Sequence, residues 1–259
     1  MNKITFYNWF LETNRQNDIK EQQKLVEIAP LVKDYFLGKI SKLPSGSIFL
    51  AQKLEKNIRD GFRGQLVSKD IIGFLDEIMD PNNSSAKLLW CKSVRKQGVE
   101  KLQRQFLFEK YKIKVLAGKK HEITASGDNS YRFDLKTGEL LKGVRKVQGS
   151  TSKSMDGRVV VKTPLKVWTF QKVTTDNGGG TDSVETELIE TIHAAKKCVN
   201  ELKTQDYFVF ISDGPFYERK QYKSDKKTRY EKLYELSEER IIIATSNTLS
   251  HELEKRGLI

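Results

Sequence analysis

The order of secondary-structure signals after about residue 112 constrains the fold more than any other feature of the sequence. Strand patterns come first: Ile113–Leu116, a hairpin over Tyr131–Leu140 whose Gly138 suits the turn, Arg158–Val161 and Leu165–Val173. A helical stretch from Asp182 to about Lys203 follows, then the apolar strand Tyr207–Ile211, a Ser212-Asp213-Gly214-Pro215 loop and a strand Ile241–Ala244. This succession predicts an α/β fold, a mixed central sheet flanked by helices. Earlier residues read differently. Recurring apolar positions such as Leu25, Ile28, Leu31, Val32 and Phe36, broken by turns at Leu43–Gly46 and Asp80–Asn83, predict a mostly helical N-terminal half. Within it, Asp70–Leu75 after Ser68 has the pattern of a capped helix start.

Composition narrows what such a chain can contact. At 259 residues it buries a core without disulfides or metal staples. Cys91 and Cys198 are isolated, and His121, His193 and His251 lie far apart, which speaks against a disulfide framework and against zinc. Lys119-Lys120-His121-Glu122 begins like a zinc-protease motif, but Ala125 stands where the second histidine is required. No apolar run approaches the roughly 20 residues that span a bilayer. The N-terminus lacks a secretion signal, so the expectation is a cytoplasmic protein without membrane partners. A formal charge of +12 implies an acidic partner, with nucleic acid and an anionic membrane surface as the main choices.

That charge is unevenly spread. Residues 142–172 hold eight basic side chains, Lys142, Arg145, Lys146, Lys153, Arg158, Lys162, Lys166 and Lys172, and a single carboxylate, Asp156. Phosphate oxygens attract such a cluster, and small residues such as Ser152 and Ser154 add hydroxyls and amides that reach a sugar–phosphate backbone. Arg145, Lys146, Lys153 and Ser154 are the candidate DNA contacts. Asp156 has two readings: a turn residue, since Asp-Gly is a hairpin signal, or an oxygen ligand for a divalent cation seated beside phosphate. On the following strand, alternation places Lys172 on one face with Trp168 and Phe170, and Gln171 on the other with Thr169 and Val173.

These segments come in a particular order. Gln97-Gly98-Val99-Glu100 opens a helix, Ser154-Met155-Asp156 precedes a strand, and Thr169-Phe170-Gln171-Lys172 lies on the next. Asp176–Gly180 then opens a helix, a strand ends Ile211-Ser212-Asp213-Gly214, and a late strand runs Ile241–Ala244. From about Lys92 to Ala244 the chain thereby resembles the PD-(D/E)XK nucleases, and in particular the type II restriction endonucleases. The resemblance implies a restriction-endonuclease-like core and Mg2+-dependent hydrolysis of double-stranded DNA to leave 5′-phosphates, usually by a homodimer on a palindromic site. Carried over by position, Asp156 is the first metal ligand, Lys172 the motif lysine, and Glu100 the helix carboxylate that some members point toward the site.

One departure matters. Phe170 stands where the motif places its second acid. Some members supply that acid from the following helix, where Glu185 shares the apolar stripe of Leu188, Ile189, Ile192 and Ala195, while Glu187 and Glu190 fall with Thr191 and Lys197 on the polar face. Glu185 is therefore the candidate second metal ligand; its plain alternative is a carboxylate favoured by the helix macrodipole. Gln171 either holds a water or phosphate, replaces an acid, or is an ordinary strand amide. The plain alternative for Glu100 is a solvated helix residue.

A second basic cluster, Arg219 to Arg229, is interleaved with tyrosines and reads as a DNA-contacting arm or, given three nearby acids, as a solvated loop. The expected organisation is a helical region over 1–90, serving dimerisation, DNA embrace or packing, and a nuclease domain over 91–259. The competing reading is a non-catalytic DNA-binding protein with a degraded nuclease fold, which the missing strand carboxylate favours. A third is a nuclease acting on RNA or without sequence preference.

Overall fold

The computed structural model describes residues 5–45, 47–48, 51–52, 71–82, 85–87, 99–117, 131–142, 152–174 and 179–259. Arg145 and Lys146, both candidate DNA contacts, lie outside the described residues, as do Ser68 and Asp70. The chain divides into two compact units, Leu11–Gly98 and Met1–Phe10 with Val99–Ile259. The division thus falls after Gly98 rather than after residue 90, and the first ten residues belong with the larger unit.

The smaller unit contains most of α1 (Phe6–Phe36) and α2 (Ile71–Met79). Leu25, Ala29 and Val32 recur at helical spacing and bury against Phe74, Leu75 and Ile78. Leu31, expected in the same stripe, is 43% exposed. It sits one residue, about 100° of helix, away from Val32 and so turns off the buried face.

The larger unit begins with α3 (Val99–Tyr111), followed by β1 (Val115–Ala117), β2 (Tyr131–Asp134), β3 (Leu140–Lys142), β4 (Ser152–Ser154), β5 (Gly157–Val159) and β6 (Val167–Val173). Then come α4 (Gly179–Asn200), β7 (Tyr207–Asp213), α5 (Arg229–Tyr234), β8 (Ile241–Ala244) and α6 (Leu249–Glu254). Five strands form a mixed sheet in the order β1-β5-β6-β7-β8. β1, β5 and β6 pair antiparallel, while β6, β7 and β8 pair parallel. A separate antiparallel sheet of order β3-β2-β4 contains the expected hairpin, with Gly138 at φ 76° in its turn.

Period-two alternation sorts the core into two layers. Trp168, Phe170, Phe208, Phe210, Ile241 and Ile243 point to one face, where they pack with Leu188, Ile192 and Ala195 of α4 and Phe133 of β2. Val167, Val209, Ile211, Ile242 and Ala244 point to the other, against Leu107 of α3 and Leu249 and Leu253 of α6. Each large side chain buried in this way contributes about 1.5–3 kcal/mol. Burial on both faces explains why β8 and β7 as far as Ile211 are apolar. The start of α1 joins this unit through Phe6 and Phe10, packed on Leu102 and Phe106 of α3. Among the described residues, no helix is long and apolar enough to cross a membrane.

Gly157 sits where β5 is squeezed between its neighbours. A Cβ there would lie 2.5 Å from the Leu116 carbonyl oxygen and 3.0 Å from Thr169 Oγ1. Because the nearer obstacle is backbone, Gly157→Ala should cost about 1–3 kcal/mol, read as a lower urea midpoint. A midpoint equal to wild type would show that β1 can yield at this position.

Candidate functional site

Asp156 stands between β4 and β5, where its chain direction is fixed from both sides. Its N–H donates to the Thr169 carbonyl at 2.9 Å, and its Oδ2 accepts the Gln171 main-chain N–H at 2.8 Å. Burial raises the Asp156 carboxyl above its ordinary value; the Gln171 N–H and the charges of Lys172 and Lys153 oppose that rise, and the negative charge of Glu100 adds to it. Burial likewise draws the Arg104 guanidinium down, with Glu100 and Asp156 opposing. Asp156, Glu100, Arg104, Lys153 and Lys172 therefore form one electrostatic group, assembled from α3, β4 and β6.

The two faces of β6 separate its last polar residues as alternation requires. Lys172 lies on the α4 side, where its Nζ is 3.4 Å from Glu187 Oε2. Lys153, from β4, donates to Glu187 Oε1. Burial alone would raise the Glu187 carboxyl, but the two lysines override it and hold it below the usual range. The helix carboxylate that meets Lys172 is thus Glu187 and not Glu185. Glu185 is half-buried, as its place on the apolar stripe implies, yet its Oε2 accepts from Arg229 Nε at 3.1 Å. The Arg229 guanidinium in turn stacks 4.3 Å from the Phe216 ring centre. Ser154 is half-buried at the end of β4, opposite Arg132, and Glu100 is exposed in the first turn of α3.

Gln171 faces the other way, into a buried polar relay that the sequence did not announce. Its Oε1 accepts from Arg104 NH1 at 3.0 Å, and its Nε2 donates to Gln103 Oε1 at 3.1 Å. Gln103 Nε2 donates in turn to Asp213 at the end of β7. Asp213 also accepts from the Ser246 N–H at 3.0 Å and the Ser246 hydroxyl at 2.5 Å. A carboxylate closing an otherwise apolar strand, and a Gln-Arg pair on a helix, were the available signals; their pairing needs the fold. A cavity of about 300 Å³ at the far end of the relay is walled in part by Tyr7, Asp213, Tyr217, Tyr230 and Asn247. Asp156 and Lys172 do not line it.

The donor set suits a hard cation held by few protein oxygens. Among the described residues, no group of three or more His, Cys, Asp or Glu side chains converges on one point. Magnesium does not require one, since it commonly keeps several waters and takes one or two carboxylates plus substrate phosphate. Asp156 is half-buried, the negative charge of Glu100 disfavours its ionised form, and a cation would relieve that repulsion. No protein family, curated protein or solved structure matches the chain.

The relay makes stability depend on pH. Burial pushes the Asp213 carboxyl up to about 6 against the hydrogen bonds from Ser246 and Gln103, whereas an unfolded aspartate titrates near 4. The folded chain holds this proton more tightly. The stabilisation is fully present below about pH 4 and is lost as pH rises through about 6, on the order of 3 kcal/mol in all. Asp213→Asn keeps an oxygen acceptor but cannot titrate. Wild-type stability should therefore fall relative to the variant between about pH 4 and 7. Parallel unfolding curves across that range would refute the assignment.

Proposed function

We propose that this chain is a magnesium-dependent, sequence-specific DNA endonuclease of the type II restriction kind, with a restriction-endonuclease-like core, acting on duplex DNA as a homodimer. One observation carries the reading: Lys153 and Lys172 both pair with Glu187, and the charges of the same two lysines also act on the Asp156 carboxyl. Glu187 takes the place expected of Glu185 as the carboxylate relocated from the strand. Asp156 and Glu187 would hold the ion, and Glu100 of α3 would add its negative charge from outside the ligand set. Magnesium bound there would supply charge neutralisation at the phosphate and a more acidic water.

The protein's own groups do the rest. Lys172 donates to the attacking water and to the oxygens on which charge develops at phosphorus. Lys153 binds a non-bridging phosphate oxygen as a point charge. Gln171 fixes Asp156 through its main-chain N–H while its side chain is held by Arg104 and Gln103. The reading of a DNA-binding protein without catalysis draws on Phe170, buried in the core where a motif acid would stand.

Plasmid and genomic DNA incubated with magnesium should give discrete fragments, and EDTA should stop their formation. Asp156→Ala, Lys172→Ala and Glu187→Gln should each lower the cutting rate by about 100-fold or more. Glu190→Gln, exposed on the same helix, should leave it unchanged. DNA binding with no cleavage under any divalent metal would favour the non-catalytic reading, and a smear would remove sequence specificity. Undiminished cutting by Asp156→Ala would take that residue out of the mechanism.

A further inference from the structure

Resting on the nuclease reading above, we infer that the loop from Arg219 to Lys227 is a preformed arm that grips the nucleic-acid backbone, anchored to the catalytic helix by the Glu185–Arg229 pair.

Its ends are closed by main-chain bonds. Tyr230 N–H donates to the Tyr217 carbonyl at 2.9 Å, and Arg229 N–H to the Arg219 carbonyl at 2.9 Å. Arg229 NH1 also reaches the Lys220 carbonyl at 3.2 Å while its Nε holds Glu185. A loop tied in this way loses little further entropy on binding. Glu185 and Glu187 lie within one turn of α4, so the arm and the Lys153–Lys172 pair are fixed to the same stretch of helix.

Two of the three acids within and beside the arm, Asp225 and Glu231, are committed to its architecture, while Glu218 stands exposed next to Arg219. Asp225 accepts the Tyr222 N–H at 3.1 Å and Lys232 Nζ at 2.7 Å. Glu231 is spent on the capping box of α5, accepting the Thr228 N–H at 2.7 Å. Lys227 pairs with Glu235. That leaves Arg219, Lys220, Lys223 and Lys226 exposed, with no ion pair among the described residues, around Tyr222, which is 63% exposed. Cations free to meet phosphate, with an aromatic ring available to stack on a base or sugar, suit a nucleic-acid strand. An anionic bilayer fits less well: Tyr222 is the one large apolar residue of the arm, and surface-bound membrane segments need an apolar face.

The test measures binding of a fluorescent mixed-sequence duplex in EDTA between about 50 and 200 mM salt. We compare wild type with the triple variant Arg219→Gln/Lys223→Gln/Lys226→Gln. The slope of log affinity against log salt should become shallower by about 2–3 in the triple variant. Arg219→Lys/Lys223→Arg/Lys226→Arg should restore it, and Tyr222→Ala should weaken binding without changing it. An unchanged slope in the triple variant overturns the arm while leaving the cleavage result standing. Failure of the wild type to bind DNA overturns both the arm and the nuclease. Charge-dependent binding to phosphatidylserine vesicles together with an unchanged DNA slope would assign the loop to a membrane surface and also overturn the proposal.

Discussion

Because the Gln171 N–H is donated to the Asp156 carboxylate at 2.8 Å, β5 and β6 are locked together at the point where the polar residues of β6 begin. Register does the remainder. Successive residues of β6 point to opposite faces, so the pairing of Gly157 with Thr169 sends Lys172 toward α4 and Gln171 toward α3. A slip of one residue would exchange them, placing the lysine against Gln103 and the amide against Glu187. Steric closeness at Gly157 and the apolar alternation of Trp168 and Phe170 both oppose such a slip. The geometry of the site is thus a consequence of strand pairing rather than of a flexible loop.

The relay from Arg104 to Ser246 is costly to assemble and for that reason specific. Gln103, Gln171, Asp213 and Ser246 are all at most 5% exposed. Any one of them left without its partner would cost about 1–3 kcal/mol, so a half-made relay is worse than an apolar core. Its satisfied form fixes the position of α3 against the ends of β6 and β7. Glu100 rides on that helix one turn before Gln103, so the relay also sets where a second negative charge stands relative to Asp156.

Much of this was legible in the sequence and some of it could not be. The order of strands and helices, the turn at Gly138 and the opposite facing of Gln171 and Lys172 follow from local periodicity, which acts over a few residues. The choice between Glu185 and Glu187 does not. Helical phase correctly puts Glu185 on the buried stripe, but burial says nothing about which partner is waiting there. Arg229, 44 residues further along the chain, occupies that carboxylate. Glu187, read as lying on the polar face of the helix, is reached by lysines from two strands whose placement depends on long-range pairing. The Gln103–Asp213 contact spans 110 residues and carries no local signature at all.

Those two ion pairs, within a single turn of α4, differ in kind. Lys153, Lys172 and Glu187 retain 22%, 23% and 37% side-chain exposure, whereas Arg229 and Glu185 retain 11% and 12%. Water near the first set screens its attraction, and partly exposed pairs of this sort contribute at most about 1 kcal/mol. Parting these lysines from Glu187 therefore costs little. Removing one partner of the more buried pair strands the other charge, at a cost of about 3–5 kcal/mol. The formal charge of +12 accordingly understates how differently its members behave. Lys153 and Lys172 share a carboxylate near water, Arg229 is built into the scaffold, and Lys223 and Lys226 are exposed with no ion pair among the described residues.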